Sequence, residues 1–543
     1  MKYPKWFALL LGCSLTATPG IAIAQTVEQL VQQGDTALTQ KQYPAAEGIW
    51  RKVIEQMPKD ANAYTKLCDA LWRQAKLKEA LADCQKAVML NPQSAVAHKN
   101  LGNVFVKQEK LDQAIAAARK AIALDPNYPF GYNLLGRVLN AQEKPDEEIA
   151  AYRKMLALPN QSEVTSPASS HILAYRNMGR ALREQKKFDA AISMHRKALE
   201  LDPKDALTYG ALGDVLAFDQ GKLEEAEVTY RKAIELDPKD ARIYFVVGHV
   251  LSSQDKLEEA VAAYRKAIEL NPKDAFFYNI LGQRLRDQGK LEEAVVVYRK
   301  AIELDPKNDS AYNGLAYELS HQGNFEAALT SVRKAIELDP KDANYPDTLG
   351  DVLSYQGKLE EAVVAYRKAI ELDPKNAIYQ ADLGNALRKQ GKFTEALGSI
   401  QTAIKLEPKN ASPYSQLGKL LQQQGKLDQA VAAYRKALEI SPKDQQVHVA
   451  LGQVLFKQQQ FTAASNAYRQ ALSLYDVFDS EKPTLRVHML AHNGLGLVLQ
   501  AQGNLEGAIA EFKQAIASNA NYTEAQTHLK QAEQLLAAKR AKR

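Results

Sequence analysis

The prolines of this 543-residue chain keep step. Pro238, Pro272, Pro306, Pro340, Pro374, Pro408 and Pro442 are each 34 residues apart, and Pro58, Pro92 and Pro126 hold the same interval. The decapeptide YRKAIELDPK occurs three times, starting at Tyr230, Tyr298 and Tyr366. A fixed period of this kind marks a repeat array, in which each unit must stack on its neighbours to bury its apolar faces. It replaces any division into ordinary globular domains, which the length alone would otherwise demand.

The stretch Ala275–Asn308 shows how one period folds. Asp274 is placed to cap a helix whose apolar face is Tyr278, Leu281, Gly282 and Leu285. Gly289 ends that helix, because glycine adopts the left-handed conformation without steric cost. Lys290 and Leu291 form the turn. A second helix opens with Glu292 and Glu293, which suit the positive end of its dipole. It carries Ala294, Tyr298 and Ala301 inward, and Pro306 prevents continuation. Each period is thus expected to be an antiparallel helix hairpin.

The set Tyr278, Leu281, Gly282, Leu285, Ala294, Tyr298, Ala301 and Pro306 closely resembles the tetratricopeptide (TPR) motif. The same set recurs as Tyr244, Val247, Gly248, Leu251, Ala260, Tyr264, Ala267 and Pro272, and again as Tyr414, Leu417, Gly418, Leu421, Ala430, Tyr434, Ala437 and Pro442. The resemblance implies an all-α, right-handed α-α superhelical TPR solenoid, with fourteen units from near Val27 to near Tyr522. Units 1–4 are expected over 25–160, units 5–13 over 172–476, and unit 14 over 489–522. Insertion loops are expected at 161–171 and 477–488, where the period breaks. A capping helix with a basic tail, 523–543, closes the array, with Leu529, Ala532, Leu535 and Leu536 on one face. Glu148 and Pro346 depart from the motif and are expected to loosen packing locally.

The first 24 residues read as a signal peptide rather than as fold. Lys2 and Lys5 precede an uncharged apolar run, Trp6–Ala17, and Ala22-Ile23-Ala24 supplies small residues before Gln25. The run is too short to span a bilayer. Cleavage after Ala24 is therefore expected, with an exported, periplasmic or secreted product. Lipidation at Cys13 is the weaker reading, since it leaves only a short hydrophobic stretch. No integral membrane segment is expected in the mature chain.

Catalytic chemistry is not apparent. Gly282 with Gly289-Lys290 superficially matches a phosphate loop, but the spacing is wrong and Leu291 stands where Ser or Thr would hold magnesium. His488 and His492 are an i, i+4 pair, yet His492 occupies an aromatic core slot of the motif, so a metal site is not expected. No cofactor is implied and the chain is expected not to be an enzyme. A net charge of +6 is close to neutral over this length, and a nucleic-acid partner is not expected. A scaffold holding protein or peptide segments in its concave groove is the reading that remains. An envelope-assembly or secretion factor and a carbohydrate-binding solenoid are the alternatives. The latter would use scattered aromatics such as Trp72, Phe130, Phe276 and Tyr317.

In the TPR family, positions 2, 5, 9 and 12 of each first helix line the groove. In units 3 to 5 these read Val96, Lys99, Asn103, Val106; Phe130, Asn133, Arg137, Asn140; and Leu173, Arg176, Arg180, Arg183. The stripe holds cations and amides and no acid. Lys99, Asn103, Asn133, Arg137, Arg176, Arg180 and Arg183 are therefore expected to bind an acidic peptide or a C-terminal carboxylate through charge-assisted hydrogen bonds. Unit 10 differs, offering Asn344, Asp347, Asp351 and Ser354. Lys99 and Asn103 also match the opening of the family's carboxylate clamp, but Leu134, Leu173 and Asn177 occupy its later positions. Cys68 and Cys84 fall on facing helices of unit 2 at about the same height, where a disulfide is possible.

Overall fold

The computed structural model describes residues 26–159, 167–474 and 483–541. Helices alone occur among them: fourteen hairpins and a final helix, Thr523–Ala541. The leader 1–24, with Cys13, lies outside the described residues.

Unit 8 folds as its residues dictate. Its helices span Ala275–Asp287 and Leu291–Leu304, and the Asp274 carboxylate accepts from the Phe276 amide at 3.1 Å. Gly289 takes φ +73° at the turn. Ala294, Tyr298 and Ala301 are fully buried. A Cβ at Gly282 would come within 2.7 Å of the Tyr298 ring, so this glycine exists to let the aromatic lie across the first helix. Gly418 and Tyr434 repeat the lock at 2.6 Å. Several hairpins lack the turn glycine and hold Ala75, Glu109 or Gln459 at φ about 60° instead, a strain of roughly 1 kcal/mol each.

The chain forms two compact bodies, meeting in sequence at Lys256 and Leu257. In the first, Thr26 and Gln29 make a capping box that starts unit 1. Cys68 and Cys84 lie fully buried in unit 2 with Cα atoms 5.3 Å apart. The first helix of unit 5 runs Pro167–Glu184, so residues 167–171 of the expected insertion loop are helical and lengthen that helix. A further irregularity escaped the reading of the sequence. Pro203 and Pro238 are 35 residues apart, and the extra residue is absorbed as a π-helical turn, Val215–Asp219, in unit 6.

In the second body the helix Pro483–Ala501 likewise takes in residues 483–488 of the second expected loop. The final helix buries Ala525 and Ala532 and packs Leu529 against Phe512 and Ala508. Leu535, expected on the same buried face, is 49% exposed. The last turn of this helix meets the preceding hairpin through polar groups instead: Lys539 Nζ donates to the Gly503 carbonyl at 3.5 Å and Arg540 pairs with Glu506 at 3.5 Å.

Glu148 and Pro346 do not loosen their units as expected. Glu148 is fully buried and tied to neighbouring side chains. In unit 10 Tyr345 and Pro346 are both buried.

Candidate functional site

The first helices of units 2, 3 and 4 (Ala61–Arg73, Ala95–Lys107 and Pro129–Ala141) present their groove positions to one cleft of about 740 Å³. Unit 3 supplies Lys99 and Asn103, unit 4 supplies Phe130, Asn133 and Arg137, and unit 2 supplies Asp69, Trp72 and Arg73. Four of the seven residues expected from the sequence are thus brought together.

Their partners are mostly neutral. Lys99 Nζ donates to Asn100 Oδ1 at 2.6 Å, and Asn100 is itself anchored on the Thr65 carbonyl at 3.1 Å. The ammonium also sits 6.0 Å from the centre of the Phe130 ring, within range of a cation–π contact. Arg137 donates to Asn103 Oδ1 at 3.2 Å, and Asn177 donates to Asn133 Oδ1 at 3.0 Å. Among the described residues neither Lys99 nor Arg137 forms an ion pair. Burial in the cleft pushes the Lys99 ammonium down to about 8; Arg73, Arg137 and Lys66 act in the same direction, and Asp69 opposes them. This is an under-neutralised positive site beside aromatic surface.

The unit 2 side is a closed polar cluster. Asp69 accepts from Trp72 Nε1 at 2.9 Å and from Arg73 Nε at 3.1 Å. The Arg73 guanidinium lies 4.9 Å from the Trp72 ring centre, on its face. Stripe reading missed Asp69 because it began at unit 3. The same position-9 rule applied one unit earlier finds it.

The other three expected residues are not in the cleft, and acids already neutralise them. Arg176 pairs with Asp205 at 3.1 Å. Arg180 pairs with Glu148 at 2.5 Å and with Glu184 at 2.6 Å. Arg183 pairs with Asp219, in the π turn, and lies 3.9 Å from Asp214. The stripe held no acid on its own positions; Glu184 lies on the same helix, and neighbouring elements deliver the others: a second helix, a helix cap and the π turn. Arg176, Arg180 and Arg183 are tied into the packing between units, which corrects the continuous basic face expected from the sequence.

Comparison with known proteins gives the family. Models of the tetratricopeptide repeat match residues 31–95, 95–128, 172–205, 216–255, 248–283 and 491–522. The model of the cilia and flagella-associated protein 70 C-terminal domain matches residues 278–490. No curated protein matches the chain. Among solved structures, the anaphase-promoting complex tetramer Cut9–Hcn1 is 16% identical, covering 94% of this chain and 97% of that one with a TM-score of 0.44. YrrB, a TPR protein with an unusual peptide-binding site, is 27% identical over 33% of this chain and 92% of its own, with a TM-score of 0.30. Yeast Tom70 is 18% identical, covering 88% and 96%, with a TM-score of 0.38. Repeat models of one kind recur along the chain in step with its hairpins, and the chain is a multi-repeat member of the tetratricopeptide family.

Proposed function

We propose that this protein is an exported, non-catalytic scaffold whose first body holds an acidic peptide segment in the cleft of units 2 to 4. One observation carries the reading: Lys99 and Arg137 are half-buried cations without acid partners, set beside Phe130 in a concave site. A carboxylate there would gain charge-assisted hydrogen bonds worth about 1.5–3 kcal/mol each, and Phe130 offers a surface for an apolar neighbour. A sugar finds less purchase, since Arg73 already lies on one face of Trp72. Export rests on the leader-like sequence of residues 1–24, and the paired cysteines suit an oxidising compartment.

The test uses a fluorescein-labelled octapeptide with two glutamates, a phenylalanine and a free C-terminus. Wild-type protein should bind it by fluorescence anisotropy, and Lys99→Glu with Arg137→Glu should abolish binding while leaving the helical circular dichroism intact. Unchanged binding in that double variant would remove the cleft from consideration.

A further inference from the structure

The groove of unit 10, in the second body, carries the opposite charge, between Arg286 and Arg388 at position 12 of units 8 and 11. Asp347 and Asp351 stand at positions 5 and 9 of unit 10, and Asp382 follows on the first helix of unit 11, Ala377–Lys389. None of the three forms an ion pair among the described residues. Asp351 accepts from the Tyr366 hydroxyl at 2.7 Å, but Asp347 Oδ1 is buried without any partner. Burial first, and then the charges of its fellow aspartates, push Asp347 up to about 8 and Asp382 up to about 7. Lys389 acts on Asp351 and Asp382 and His321 acts on Asp351, but none of these pairs is closed, and the three acids together stay under-neutralised.

The surroundings narrow what would meet it. Position 5 in the two preceding units is Asn279 and Asn313, and each has a buried Oδ1 with no donor. Asn279 is only 5% exposed, and its Nδ2 is already committed to Ser310 Oγ at 3.3 Å. Successive repeats thus present acceptors that lack donors, where buried polar atoms are normally paired. Aromatic rings flank the acids: Tyr317 and His321 are 4.5 Å apart, His321 and Tyr355 are 5.2 Å apart, and Tyr355 is 53% exposed. No group of His, Cys, Asp and Glu among the described residues is arranged to hold a metal ion. The missing cation is therefore not a point charge bound by converging carboxylates. Arg286 already lies over the Tyr317 ring at 5.2 Å, which leaves Tyr355 open, and an ammonium or guanidinium on a long side chain suits both the spread acids and that ring.

We propose that the groove of units 8 to 11 binds a basic polypeptide segment in extended form. A Lys or Arg side chain of the partner lies against Asp347, Asp351 and Asp382, beside Tyr355. This site is independent of the cleft in the first body and has the opposite preference. A partner with basic and acidic stretches could engage both, and binding of each stretch is separately measurable.

The experiment uses the whole chain and two fluorescein-labelled octapeptides of glycine and serine, one with two arginines and a lysine, the other with glutamates in their place. The cationic peptide should bind wild type. Asp347→Asn, Asp351→Asn and Asp382→Asn together should weaken that binding at least tenfold, and Tyr355→Ala, an exposed position, should weaken it three- to tenfold without moving the melting temperature. Lys99→Gln with Arg137→Gln, which puts no new acid beside Asp69, should leave it unchanged, which separates this site from the cleft. Undiminished binding of the cationic peptide by both the triple variant and Tyr355→Ala would overturn the proposal, as would equal affinity for the glutamate peptide in the Lys99→Gln, Arg137→Gln background.

Discussion

Cys68 and Cys84 face one another across the unit 2 hairpin, Cα atoms 5.3 Å apart, at the two motif positions that hold Gly282 and Tyr298 in unit 8. A side chain at the glycine position is incompatible with a large ring at the other, as the 2.7 Å approach in unit 8 shows. The cysteines are thus a matched replacement: both members of the lock have changed, and a covalent bridge takes over what a ring did by packing. Closing a loop of this length contributes about 3 kcal/mol. Alkylation of the unfolded, unreduced protein should label neither residue, and two labels would reject the bridge. Cys68→Ser with Cys84→Ser should melt several degrees lower, whereas Cys68→Gly with Cys84→Tyr, which rebuilds the packed lock, should recover most of that loss.

Arg180 and Glu148 form a bridge that joins unit 4 to unit 5. Glu148 is fully buried where the motif has alanine; burial pushes its carboxyl up and Arg180 opposes this. Removing Arg180 alone strands a buried acid with only Asn140 for company, at 3.3 Å. The arginine is 39% exposed, so the cost is discounted for solvent to about 1–3 kcal/mol. Arg180→Gln should lower the urea midpoint, and Glu148→Ala in the same chain should restore much of it. A double-mutant cycle with no coupling would show that the pair is ornamental.

How far the residues foretold this molecule differs between fold and site. Hairpins were legible because each is specified redundantly: Gly282 admits Tyr298, Gly289 turns the chain, and Pro306 stops it. Only the Glu184 partner of Arg180 was legible from the helix of Arg176, Arg180 and Arg183, since Glu148 and Asp205 reach them from other elements and the partner of Arg183 sits in a π turn. That turn had one signal, the 35-residue step from Pro203 to Pro238. Lys99 and Arg137 line the cleft of units 2 to 4, and that no acid pairs with them is a tertiary fact. So is the exposure of Leu535.

Glu318 is fully buried in unit 9, at a position held in other units by buried Val352, Leu420 and Val454. Neither carboxylate oxygen has a partner, and the adjacent core hydroxyl of Tyr298 is also unpaired. Burial pushes Glu318 up to about 7, with Arg286 opposing and Asp287 reinforcing. The sign follows from linkage: a carboxyl raised above its unfolded value of 4.5 favours the fold when protonated, and stability falls as pH rises from about 5 through 7. Glu318→Gln should therefore stabilise the second body by roughly 1–3 kcal/mol at pH 8 and by little at pH 4.5. Comparing the variant with wild type at each pH isolates this group from Asp347 and Asp382, which are raised in the same sense. An equal effect at both pH values would refute the assignment.

Lys99 gives the cleft its own pH signature. With its ammonium pushed down to about 8 by burial, the side chain is charged at pH 7 and largely neutral at pH 9. An ordinary lysine, near 10.4, would hardly change over that range. Binding of the glutamate and phenylalanine octapeptide should weaken as pH rises from 7 to 9, because the cation that receives the carboxylate loses its proton. The bound anion raises the lysine again, so the complex should take up a fraction of a proton near pH 8, measurable as a buffer-dependent binding enthalpy. Lys99→Arg keeps the charge at every pH in the range and should flatten the profile while preserving binding at pH 7. If the profile stays steep in Lys99→Arg, the titrating group lies elsewhere and Lys99 is not the anchor.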